Sequence, residues 1–239
     1  MRLVLLLFLS FGLYADNEVF VSQTGSNAVI KLEQLGSSNL IGGTNASAGS
    51  LTALGLSGSD MTLTINQIGT SNLFKADDFN GDNVTAYWNF AGDSNVFDLV
   101  MNSLEANTSD YVNLNIQATG SSNTFDLAIA EDSDAGYLNL DWLIDGDSNE
   151  LTATIDYENA TNYIDILGDS NTLTFAGSGY AGNTSSDSGF FYLDLDGSSN
   201  TLQITQASTL ARDYLKITAN GSNSSWCIVQ NDGGTSTSC

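Results

Sequence analysis

Proline and histidine are both missing from this chain of 239 residues. Without proline, no residue lacks a backbone N–H, so the chain can run through β ladders without a break. Without histidine, the usual general base and the commonest metal ligand are gone. Basic residues are scarce as well, with five Lys and Arg against 28 Asp and Glu. A surface so acidic repels nucleic acid and anionic lipid, and neither is expected as a partner. The two cysteines, Cys227 and Cys239, are too few for a structural zinc site.

Hydrophobic residues make up 41% of the chain, enough for a core and far from a membrane-like composition. The start differs. "MRLVLLLFLSFGLYA" carries one positive charge at Arg2, an apolar run and a small residue at Ala15. It reads as a signal peptide cleaved before Asp16, because the run is too short to span a hydrocarbon layer about 30 Å thick. Loss of Arg2 leaves four basic residues against 28 acids, a net charge of −24. An even cysteine count in an exported chain favours a Cys227–Cys239 disulfide closing the C-terminal end.

What the chain has in abundance is one turn. Gly-x-x-Asn recurs at Gly36, Gly69, Gly92, Gly120, Gly146, Gly168 and Gly197, closing on Asn39, Asn72, Asn95, Asn123, Asn149, Asn171 and Asn200. A shortened "QTGSN" at Gly25 precedes them and a shifted "NGSN" at Gly221 follows. Counting back in twos from Gly120 gives Ile116, Leu114 and Val112; counting forward from Asn123 gives Phe125, Leu127 and Ile129. The positions between are mostly Thr, Asp, Asn or Ser, the period-two pattern of strands with one buried and one wet face.

Strand pairs this short cannot cover their own apolar faces, so they must stack on copies above and below. The expected fold is an all-β solenoid of strand–turn–strand coils, roughly eight or nine repeats stacked at about 4.8 Å. Residues 16–225 form the repeats and 226–239 a disulfide-closed tail that caps one end, with Trp226 packed under the disulfide. Each Asn falls on the inward parity, where an unpaired amide costs about 1–3 kcal/mol. Stacked Asn side chains are therefore expected to bond along the axis as a ladder. Gln23, Gln34 and Gln67, each two residues before a turn glycine, are candidates for a second ladder.

"INQIGTSN" and "LEQLGSSN" resemble the curlin repeat, whose hallmark is Gln-x-Gly-x-x-Asn between two short strands. Gln67 with Asn72 and Gln34 with Asn39 keep that spacing, and the step of 22 from Gly146 to Gly168 matches the repeat length. The later repeats are degenerate and lack the Gln. The resemblance implies a subunit of curli-like functional amyloid fibres, secreted to a bacterial surface, for adhesion and biofilm matrix. The partners it implies are further copies of the chain, a related nucleator subunit and an outer-membrane export channel.

Acid clusters give the competing expectation. "DDFNGDN" (Asp77 to Asn83), "EDSDAG" (Glu131 to Gly136) and "IDGDSN" (Ile144 to Asn149) gather oxygen ligands of the kind Ca²⁺ prefers. None has the EF-hand spacing or the nonapeptide of calcium-dependent β-rolls. Solvated loops are the expected reading, with a monomeric acidic adhesin or calcium-binding surface protein as the alternative. No carboxylate pair stands out as catalytic, so neither enzymatic activity nor a cofactor is expected. Outward Thr pairs such as Thr152 with Thr154 read as strand propensity, since neighbouring coils break the array with Asp and Asn.

Overall fold

The computed structural model describes residues 18–36, 38–42, 54–102, 111–130, 136–157, 159–178, 188–208 and 212–232. The expected signal peptide, Glu131 to Ala135 and Cys239 lie outside them. Within the described residues, seventeen strands form one sheet wound on itself. In chain order they are β1 (Glu18–Phe20), β2 (Ser22–Thr24), β3 (Val29–Leu35), β4 (Leu40–Gly42), β5 (Gly55–Ile68), β6 (Leu73–Ala91), β7 (Val96–Asn102), β8 (Tyr111–Thr119) and β9 (Thr124–Ala130). There follow β10 (Tyr137–Asp145), β11 (Glu150–Asp156), β12 (Asn159–Leu167), β13 (Thr172–Ser178), β14 (Ser188–Asp196), β15 (Thr201–Ser208), β16 (Arg212–Asn220) and β17 (Ser225–Asp232).

Every strand pairs in parallel with the strand one coil away, so the chain is a β-solenoid with two arcs. The first arc, before each Gly-x-x-Asn turn, runs β3, β5, the second half of β6, β8, β10, β12, β14 and β16. The second arc, after each turn, runs from β4 through the first half of β6 to β7, β9, β11, β13, β15 and β17. Parallel pairing follows from the sequence pattern. Equivalent apolar residues of successive repeats share one inward column only when the strands run the same way.

The two inward faces meet in one hydrophobic core. Phe74, Phe97 and Phe125 form a column of the second arc. Trp88 of the first arc lies 6.0 Å from Phe74 and 5.4 Å from Phe97, and Trp142 lies 5.7 Å from Phe125. Burying each such ring stabilises the stack by roughly 1.5–3 kcal/mol. In β8 the alternation is complete: Val112, Leu114, Ile116 and Ala118 are buried while Tyr111, Asn113, Gln117 and Thr119 face outward.

The corners differ. The Gly-x-x-Asn corner keeps one length throughout. The opposite corner is a tight turn at Gly58–Asp60 and Gly81–Asn83 and varies in length in later coils, from the short step between Asp156 and Asn159 to the longer one between Asn102 and Tyr111. Gly25, read from sequence as a shortened form of the same turn, belongs to this opposite corner. It stacks beneath Gly58, whose Cβ would fall 2.1 Å from the Gly25 oxygen. Residues 226–232, assigned from sequence to the tail, continue the second arc in β17 in register with β15.

Candidate functional site

The Gly-x-x-Asn corner has the same backbone in every coil. Its glycine takes positive φ, for example 130° at Gly92 and 150° at Gly146. A Cβ at Gly92 would sit 1.7 Å from the Gly69 oxygen, so the column admits no side chain. The third residue of the turn is also left-handed without being glycine: Ser71, Ser94, Ser122, Ser148, Ser170 and Ser199 lie near φ 60°. In the last coil Asn223 takes that position, which puts Ser224 where every other coil has Asn.

The left-handed serine turns the following Asn into the core. Its side chain then bonds to backbone, not to another amide as the sequence suggested. The N–H of Asn39 donates to Asn72 Oδ1 at 3.2 Å, that of Asn72 to Asn95 Oδ1 at 2.9 Å, and that of Asn95 to Asn123 Oδ1 at 2.8 Å. The series continues from Asn123 to Asn149 (2.9 Å), Asn149 to Asn171 (2.8 Å) and Asn171 to Asn200 (2.7 Å). It ends with the Asn200 N–H donating to Ser224 Oγ at 3.2 Å. The Nδ2 groups of Asn95 and Asn123 donate to the glycine oxygen of their own turn, at 2.7 and 2.9 Å.

This ladder has a direction, because each side-chain oxygen points back to the preceding coil. One position after the glycine a second ladder runs the opposite way. Asp93 Oδ1 accepts from the Ser121 N–H, Asp147 Oδ1 from Asp169 and Asp169 Oδ1 from Ser198, each at 2.6 Å. Asp147, part of one sequence-level calcium candidate, is thus engaged in bracing the turn. Asp82 of another candidate is buried beside the Ser59 hydroxyl. Among the described residues no group of three or more His, Cys, Asp or Glu side chains could hold a metal ion.

The glutamines part company. Gln67 Nε2 donates to Gln34 Oε1 at 3.0 Å, and Gln34 Nε2 to the Leu40 oxygen at 3.1 Å. The next coil places Phe90 in that column, so the amide ladder is one bond long. Gln23 does not join it. It pairs in register with Leu56 on the other arc, because Gly25 turns the opposite corner. Two further inward amides, Asn162 and Gln206, are buried in later coils. Counting back in twos from Gly168 would have found the first, and continuing forward past Ile204 the second.

Among the described residues, the first-arc end strands β3 and β16 each lack a strand neighbour on one side. In the first complete turn Asn39 is fully buried, yet neither polar atom of its side chain has a partner. Ile30 and Leu32 of β3 are only half-buried. At the other end Trp226 and Ile228 stand in the inward columns of Leu202 and Ile204 but are 46% and 39% exposed. Trp226 was expected to pack under a disulfide, but strand parity puts it on the opposite face from Cys227. Among the described residues no cysteine is free.

No family model matches the chain, and no curated protein or solved structure matches it.

Proposed function

We propose that the mature chain is a secreted structural subunit, curli-like in its repeats, that polymerises end to end by continuing its own β ladder. The fibres would serve adhesion and matrix at a bacterial surface. One observation carries this reading: among the described residues the end strands of the first arc, β3 and β16, each pair on one side only. Among the described residues, the last coil has unpaired outer edges on β16 and β17 and the exposed side chains of Trp226 and Ile228. The first coil has the half-buried Ile30 and Leu32 and the unpartnered Asn39 Oδ1. Carried one coil further, the register puts Gly221 of one copy beneath Gly36 of the next. An added Cβ at Gly36 meets nothing nearer than Asn39 Oδ1 at 4.0 Å, so that approach is open. On the second arc β1 already pairs with β4, so the Ser224 N–H would reach the buried Asn39 Oδ1 only where β17 of the incoming copy displaces β1.

Free strand edges and an uncovered core template further strands, which favours association. Charge opposes it, since each copy carries −24, and screening to about 8 Å at 0.15 M salt relieves the repulsion. Divalent ions bridging loop carboxylates would act the same way. A Cys227–Cys239 disulfide would tie the tail to the outward face of the last coil. A nucleator subunit and an outer-membrane export channel belong to the same reading.

The test is light scattering with negative-stain imaging of the mature chain across ionic strengths. Fibres with an axial repeat of about 4.8 Å are expected as salt rises, and Trp226→Asp should suppress them while leaving the monomer folded. A chain that stays monomeric at every ionic strength, with calcium or without, would favour the acidic adhesin and end the fibre reading.

A further inference from the structure

The outward faces of the two arcs differ in chemistry. All outward tyrosines among the described residues are on the first arc: Tyr87, Tyr111, Tyr137, Tyr163, Tyr192 and Tyr214. At matching heights the second arc has Thr152, Thr174, Gln203 and Thr205. Register pairs the rings: Tyr111 stacks on Tyr137 at 5.0 Å and Tyr163 on Tyr192 at 4.7 Å, within 6° and 13° of parallel. Stacked rings stand as ridges along the solenoid axis. Beside them lie two shallow grooves of about 620 and 570 Å³ that share Asn139.

The first groove is floored by Asn113, Asn139 and Thr161, three rungs of one column. The second is lined by Asp141, Asp165 and Asp194 beside Tyr163 and Tyr192, with Lys216 one rung beyond Tyr192. Both run across the strands, so their walls repeat every rung at about 4.8 Å. That geometry suits a linear polymer with a short regular repeat. A peptide would gain no strand pairing, because β10, β12 and β14 have strand neighbours on both sides. Amides, phenols and carboxylates in rows bond well to a hydroxyl-rich ligand. Asp165 and Asp194 share a column, Asp141 lies in the next one below Tyr163, and these carboxylates with a net charge of −24 admit a cationic ligand and repel an anionic one.

We propose that the outer face of the first arc binds a linear amino-sugar polysaccharide with free, protonated amino groups. The polymer lies along the grooves with its amines at Asp141, Asp165 and Asp194 and its ring hydroxyls against Tyr163, Tyr192 and Asn139. Burial, and then the neighbouring Asp194 and Asp141, raise the proton affinity of Asp165; a cation between these carboxylates relieves the like-charge part of that shift. The site does not depend on the chain polymerising.

The test uses the monomeric chain in titration calorimetry, at mildly acidic pH and near-physiological salt. The probes are a glucosamine hexamer, its fully N-acetylated counterpart and hexalysine. The glucosamine hexamer should bind at least about tenfold more tightly than either comparator. Replacing Asp165→Asn with Asp194→Asn should weaken it by about tenfold or more, and Tyr163→Ala by about threefold. The charge-matched control, Asp98→Asn with Asp126→Asn on the second arc, should leave it unchanged. Circular dichroism and Tm check that each variant stays folded. No binding, equal binding of hexalysine, or equal weakening by the control pair would overturn the proposal.

Discussion

Asn95 accepts the backbone N–H of Asn72 through Oδ1 at 2.9 Å and donates through Nδ2 to the Gly92 oxygen at 2.7 Å, so one side chain satisfies two otherwise stranded backbone groups. The same arrangement at Asn123 predicts that Asn123→Ala costs about 1–3 kcal/mol. That corresponds to a fall in Tm of roughly 2–4 °C per kcal/mol. Asn39→Ala should cost the monomer much less, since Asn39 Oδ1 and Nδ2 bond to nothing there. Denaturant melts of both variants under monomeric conditions check the difference, and equal losses would contradict the ladder's direction.

Gly146→Ala should destabilise by more than about 3 kcal/mol, combining a backbone conformation forbidden to alanine with a clash. Its Cβ would fall 2.1 Å from the Gly120 oxygen at a φ of 150°. Ser148→Gly, two residues on, should do the reverse. Relief of the left-handed backbone at φ 59° outweighs the added chain entropy and gains up to about 1 kcal/mol. Urea midpoints of the pair, opposite in sign, are the check.

Asp165 and Asp126 both hold their protons above the ordinary aspartate value of 3.8, through burial first and then through neighbouring carboxylates, Asp194 and Asp141 for the one and Asp98 for the other. A raised folded-state value means that the folded chain binds the proton more readily than the unfolded one. Stability from these groups is therefore complete below 3.8 and is lost as pH rises through the folded values. Mild acidification from neutrality should raise Tm. Asp165→Asn should be more stable than the parent at neutral pH, by on the order of 1 °C because the site is largely exposed, and should flatten the pH slope. An unchanged slope would absolve this carboxylate row.

Cys227→Ser with Cys239→Ser should alter the length distribution or the lag of assembly if the tail governs one end of the stack. Seeded-growth kinetics and length measurements from micrographs read it. The ladder itself should survive, since β17 pairs with β15 through its backbone along the whole strand.

Strand parity was plain in the sequence because a solenoid writes each buried column once per coil. Ile65, Trp88 and Ile116 share a column in the structure as they share a place in the pattern. Corner identity was not plain. "QTGSN" and "LGSSN" look alike, yet Gly25 and Gly36 turn opposite corners, and only the register with Gly58 separates them. The donor in the Asn ladder was hidden too, because an inward amide announces a need for partners without naming them. Left-handed serines were missed since serine carries no strong preference for that conformation. The tyrosine ridges depend on which residues stack across unequal repeat lengths, and period-two counting within one repeat does not show that.

The unequal corners have a practical consequence. More residues separate Asn102 from Tyr111 than make the turn at Gly81–Asn83, and Asn95 and Asn123 are still bonded at 2.8 Å. Foreign peptides grafted at that bend should ride outside the scaffold at fixed heights, making the molecule a ruler for displaying cargo.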